Sequence, residues 1–206
     1  PPEASQADRE TYRTALGLDR PAVERFFVFV WNALHGDLGQ SYRFHEPVLR
    51  LIADRFPATL ELATSAMVFA TVLGVTTGVL SAVRPNGLAD RIVELVAVSG
   101  MAAPTFWVGV MLIMLFAVEW QLLPSSGRSA PGALVLPTLT LGWYSTAVIS
   151  RMTRSTMLEA LGADFVRTLV LKGAPMRAIV LRHCMKLVLP TLVTIASLQF
   201  VTLLAG

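Results

Sequence analysis

After Pro57 the chain runs for twenty-six residues to Val83 with a single charge, Glu61. As a helix such a stretch is about 39 Å long, against a hydrocarbon core of roughly 30 Å. It predicts a membrane span. Glu61 falls in its first turn, where a carboxylate suits a helix N-terminus and can sit at the interface; a functional intramembrane acid belongs nearer the middle. Gly74 and Gly78 form a small-xxx-small face, which predicts close packing on another helix.

Three further spans are predicted. Asp90 and Arg91 open the second, about Ile92 to Val118, with Glu94 in its first turn. Gly100, Ala102, Ala103 and Pro104 interrupt it. A proline in a membrane helix frees carbonyls and bends the rod. Pro104 reads either as simple helix packing or as a pore-lining bend, and the residues alone leave both open. The third span is Leu134 to Ile149, carrying Pro137. The fourth is Leu187 to Gly206, with Pro190 near its start. With 54% hydrophobic residues and a mean hydropathy of +0.60, the composition is that of a membrane protein.

The long polar break Leu158 to Pro190 separates the last two spans. With Arg151 and Arg154 at its edge, it holds seven of the seventeen basic residues, the others being Arg167, Lys172, Arg177, Arg182 and Lys186; only Glu159 and Asp164 oppose them. Basic loops stay in the cytoplasm. That places 150–186 and 84–91 inside, and 119–133 and 1–56 outside. Leu158, Leu161, Phe165, Leu169 and Lys172 recur at helical spacing, Gly173 supplies a helix stop, and Pro175 fits the first turn of a second helix. The break therefore reads as helix, Gly-Ala turn, helix, with the second helix running on into the last span.

Residues 1–56 carry seven basic against eight acidic residues. Pro21 reads as a helix start, followed by an apolar face of Val23, Phe26, Phe27, Val30, Trp31 and Leu34. That face either packs on its own neighbours or lies at the membrane interface. A metal would have to pair His35 or His45 with Asp37; solvated or hydrogen-bonded histidines are the plainer reading. Cys184 is alone and forms no internal disulfide. The basic balance comes from the cytoplasmic loop and implies no nucleic-acid partner. No phosphate loop, carboxylate pair, Ser-His-Asp set or HExxH motif occurs. A 56-residue outer head calls for an upstream span, so the chain reads as a fragment.

The string Asp164-Phe165-Val166-Arg167-Thr168, then Lys172-Gly173, Arg182-His183 and Leu189-Pro190, resembles the cytoplasmic loop of ABC-importer permeases of the dipeptide/oligopeptide/nickel family. Gly36-Asp37-Leu38-Gly39 with Ser41, and 16–21, resemble the outer segment after that family's first span. Leu169 and Leu171 stand where the subfamily usually has alanine. The resemblance implies an all-α polytopic transmembrane helix bundle of the type I importer fold, with six spans of which about four are present. Residues 1–56 would be an extracytoplasmic helical segment and 57–206 the transmembrane permease domain. The implied coupling loop comprises Glu159, Asp164, Phe165, Arg167, Thr168, Lys172, Gly173, Arg182, His183 and Pro190. The implied partners are a second permease subunit, two ATPase subunits, an extracytoplasmic solute-binding protein and the lipid bilayer; the implied place is the bacterial cytoplasmic membrane, with no cofactor. Dipeptides, oligopeptides, glutathione and nickel chelates share the pattern. An ion-gradient-driven secondary transporter is the alternative, and it would need ionisable groups at mid-membrane.

Overall fold

The computed structural model of the chain describes residues 21–41 and 43–205. The string 16–20 and Tyr42 lie outside the described residues. The chain divides into two compact units, one up to Pro57 and one from Ala58.

In the first unit, α1 (Ala22–Leu34) starts after Pro21 and none of its residues is buried. Phe26, Phe27, Phe29, Trp31 and Leu34 stay exposed. His35 Nδ1 lies 2.8 Å from the Trp31 carbonyl oxygen, and the Asp37 carboxylate accepts from the Gly39 N–H at 2.9 Å. Gln40 and Pro47 form an isolated antiparallel bridge, while the Arg43 and Arg55 guanidiniums stack over Phe44.

Pro57 does not start a helix. It lies inside α2 (Val48–Val83, 36 residues), which begins right after Pro47. Pro57 costs the helix one N–H bond, and the helix continues through it. Glu61 accordingly stands well inside α2 rather than in its first turn.

The second unit contains α3 (Leu88–Ala102), α4 (Thr105–Glu119, widening to π geometry from Ile113), α5 (Val135–Gly162), α6 (Asp164–Leu171) and α7 (Met176–Ala205, with a π stretch at Ile179–Cys184). α3 and α4 are bent 108° from each other, so the predicted second span is two helices and not one kinked rod. Ala103 and Pro104 are both extended (ψ 129° and 133°), because a proline excludes its predecessor from helical geometry.

Among the described residues two helices, α2 and α7, are long and apolar enough to cross a membrane, and the α3–α4 pair makes a third if it is one span. The expected span at Leu134–Ile149 is the first half of α5, which is too polar to join them by composition. The reason lies in its position. α5 packs against α3, α4 and α7, and nine of its residues are buried, Ser145, Ser150 and Thr153 among them. A central helix meets other helices rather than lipid, so small and hydroxylated residues suit it.

α2 and α5 run parallel. The hydroxyls of Ser65 and Thr138 are 2.8 Å apart, those of Thr77 and Ser150 2.9 Å, and Arg154 Nε donates to Ser81 Oγ at 3.0 Å. Each pair is 73 residues apart, so the register holds along the seam.

Candidate functional site

Residues 150–162 are not loop. With no Gly or Pro before Gly162, α5 continues through them and ends at Ala163, which is extended (φ −72°, ψ 150°). The helix expected from Leu158 to Lys172 is therefore broken in two. Only its second part, α6, stands apart from the bundle rods.

α6 is short, and packing holds it in place. Asp164 occupies its first turn, where a carboxylate suits the positive end of the helix dipole. Val166 is buried, and Phe165 and Leu169 pack on the cluster of Met157, Ile179, Val180 and Cys184. The opposite face is open: Asp164, Arg167, Thr168, Leu171 and Lys172 are exposed, with Leu171 at 89%. The nearest approach of Arg167 to Asp164 is 3.9 Å between two highly exposed groups, which contributes little to stability.

The C-terminal turn of α6 is closed by two hydrogen bonds. Gly173 N–H donates to the Val170 carbonyl at 2.9 Å, and Ala174 N–H to the Leu169 carbonyl at 3.0 Å. This closure needs a left-handed residue after the helix, and Gly173 has φ +77°. Pro175 then precedes the first residue of α7, Met176, instead of lying in its first turn.

Arg182 and His183 are exposed on the π stretch of α7, and Pro190 is exposed further along that helix. Glu159 stands on α5, not α6. It lines a cleft of about 290 Å³ with Thr156 and Ala160 of α5, Ala163 just after it, and Leu187, Val188 and Thr191 of α7. The sequence-predicted residues therefore divide: Asp164, Phe165, Arg167, Thr168, Lys172 and Gly173 share one short helix and its turn, while Glu159 and Pro190 belong to the rods beneath. Gly74 and Gly78 lie on the α2–α5 seam, and Pro104 lies in the break between α3 and α4.

Sequence reasoning missed a buried polar centre at the same end of the bundle. Asp90 stands in the first turn of α3, at the start of the second span, and it is buried there, 2% exposed. Arg154 donates to it twice, Nε to Oδ1 at 2.6 Å and Nη2 to Oδ2 at 2.8 Å. The Ser81 hydroxyl donates to Oδ1, and the Asn86 N–H to Oδ2 at 2.7 Å. The available signal was weak: an acid in the first turn of a helix after Asn86-Gly87, and an arginine flanked by small hydroxylated residues. At the other end of this unit Arg128 pairs with Glu61 at 2.9 Å, both half-exposed.

Residues 74–206 match the family described as the binding-protein-dependent transport system inner membrane component. The chain is 38% identical over 222 residues to the dipeptide transport system permease protein DppB of Escherichia coli (strain K12), covering 93% of this chain and 66% of that protein. It is 38% identical over 205 residues to the glutathione transport system permease protein GsiC of the same strain, covering 100% of this chain and 67% of that protein. The chain thus spans about two thirds of the length of these relatives.

Proposed function

The chain belongs to the family of binding-protein-dependent transport system inner membrane components, and from that premise we propose that it is a permease subunit of an ATP-driven ABC importer. It is a multi-pass protein of the bacterial inner membrane. In this reading the helices form half of an alternating-access pathway for peptides or a related small solute. α6 docks on a separate ATPase subunit, whose closure on ATP moves α5 and its neighbours. A second permease subunit completes the pathway, two ATPase subunits drive it, and an extracytoplasmic binding protein delivers the solute.

The single observation that carries this reading is α6 itself. Its inner face is fixed to the bundle by Phe165, Val166 and Leu169, its outer face is charged and open, and its end is locked at Gly173. An element that transmits force needs that combination of anchorage and free surface.

The proposed orientation puts 84–91 and 150–186 in the cytoplasm, with 119–133 and the head 1–56 outside. Two ion pairs support the part that concerns the bundle. Asp90, beside the 84–87 turn, meets Arg154, while Glu61 meets Arg128 of the 119–133 loop. The parallel course of α2 and α5 agrees with both. The ion-coupled alternative gains nothing from Asp90, because both its oxygens are committed to Arg154, Ser81 and Asn86.

Uptake of labelled dipeptide and labelled glutathione into vesicles containing the full set of subunits tests the proposal. Uptake should require ATP on the side of α6 and should cease when the ATPase subunits are omitted. Uptake by the permease alone, driven by an ion gradient, would contradict it.

A further inference from the structure

Resting on the importer reading, we propose that Asp90, Arg154 and Ser81 form a clasp that positions α3 and carries displacement of α6 from α5 to the break at Pro104. Three helices meet at this point. Ser81 is in the last turn of α2, Asp90 in the first turn of α3, and Arg154 on α5 eight residues before that helix ends at Gly162.

The chemistry of the contact fixes angle as well as distance. A guanidinium that donates two hydrogen bonds to one carboxylate is a planar fork, which resists rotation and sliding in a way that an apolar contact does not. Ser81 and Asn86 occupy further acceptor positions of the carboxylate, so Asp90 has no freedom to follow Arg154 by turning about its own side-chain bonds. Separation of α5 from α3 would leave a carboxylate that is 2% exposed without its counter-ion, which is strongly unfavourable. When α5 moves, the N-terminal end of α3 moves with it.

A charge that served only to set topology would sit in solvent, as Arg151 does. Arg154 is turned inward instead, with its side chain 26% exposed. At the far end of α3, Ala103 and Pro104 leave the helix and α4 departs at 108°. α4 holds its own contact with α5, where Gly109 faces Thr140. α3 is therefore clasped to α5 at Asp90 and also rests on Trp143 and Ala147 at Gly100, while α4 leans on α5 further along, at Thr140. Ala103–Pro104 is the pivot between them.

The test needs no knowledge of the solute. Spin labels at Leu95 on α3 and Val110 on α4, both exposed, are introduced into the full-length chain assembled with its partner subunits. The distance between them is measured with and without ADP plus vanadate. The wild-type complex should trap nucleotide and show a shift in this distance. Arg154→Lys keeps the charge and loses the fork; it should still trap nucleotide but lose most of the shift, while Arg151→Lys keeps all of it. Ser81→Ala, which removes one donor and leaves the pair, should reduce the shift, and it decides the matter if Arg154→Lys does not assemble. A full shift in the assembled variant, even at reduced yield, marks a purely structural pair and overturns the clasp. Trapping without any shift in the wild type overturns it as well. A wild-type complex that traps no nucleotide overturns the importer reading and the clasp with it.

Discussion

Gly78 lies so close to α5 that a Cβ on it would stand 2.5 Å from the Ser150 carbonyl oxygen and 2.6 Å from Thr153 Cβ. One turn earlier, a Cβ on Gly74 would meet Ile149 Cβ at 2.8 Å and the Thr146 carbonyl oxygen at 3.0 Å. From the other side, Gly142 of α5 faces Phe69 and the Ala66 carbonyl of α2 in the same manner. Small residues on both helices let the two backbones approach, and the paired hydroxyls of Thr77 and Ser150 are within bonding distance because they do.

Gly78→Leu should therefore damage assembly more than Gly74→Leu, because its nearest obstacle is backbone, which cannot turn aside. Overpacking of this kind costs about 1–3 kcal/mol, and more where the backbone itself blocks the way. Yield of monodisperse complex and its thermal midpoint in detergent give the measurement. Equal midpoints for wild type and Gly78→Leu would mean that the seam is loose.

How much of this was legible beforehand depended on whether the signal was local. The apolar run after Pro57, the Gly74–Gly78 spacing and the Gly173 stop were all visible, because each is written in a few consecutive residues. The break at Ala103–Pro104 was visible in kind but not in size, since a proline signals departure from a helix without fixing the angle. The extent of α5 was not legible. Ser150, Arg151 and Arg154 look like the start of a loop; the lack of Gly or Pro lets the helix run on, and contacts of Ser150 with α2 and of Arg154 with α2 and α3 hold it there. The Asp90–Arg154 pair was hidden for the same cause: its partners are 64 residues apart, and each alone reads as an interfacial charge.

Gly173 has nothing within 4 Å of where a Cβ would stand, so conformation alone constrains it. Gly173→Asn, which tolerates positive φ, should support near wild-type transport. Gly173→Val should strain the turn by roughly 1–2 kcal/mol, leave membrane insertion intact and lower transport. Uptake assays normalised to inserted protein compare the two. Equal transport by both would show that the turn angle is irrelevant.

The orientation predicts opposite labelling at the two ends. After Cys184→Ala, which removes the chain's one thiol, a cysteine at Ser126 should react with an impermeant maleimide applied from outside. A cysteine at Thr168 should react only after the membrane is opened. The reverse pattern would invert the topology.

The importer account rests on α6 touching an ATPase, and proximity can be measured directly. A cysteine replacing Arg167, on the exposed face of α6, should form a cross-link to the ATPase subunit in membranes holding the complete transporter, with a yield that changes when ATP is bound. The same cysteine placed at Ser126 should form none. Absence of any cross-link from Arg167 and its neighbours Asp164, Thr168 and Leu171, in a complex that still transports, would contradict the account.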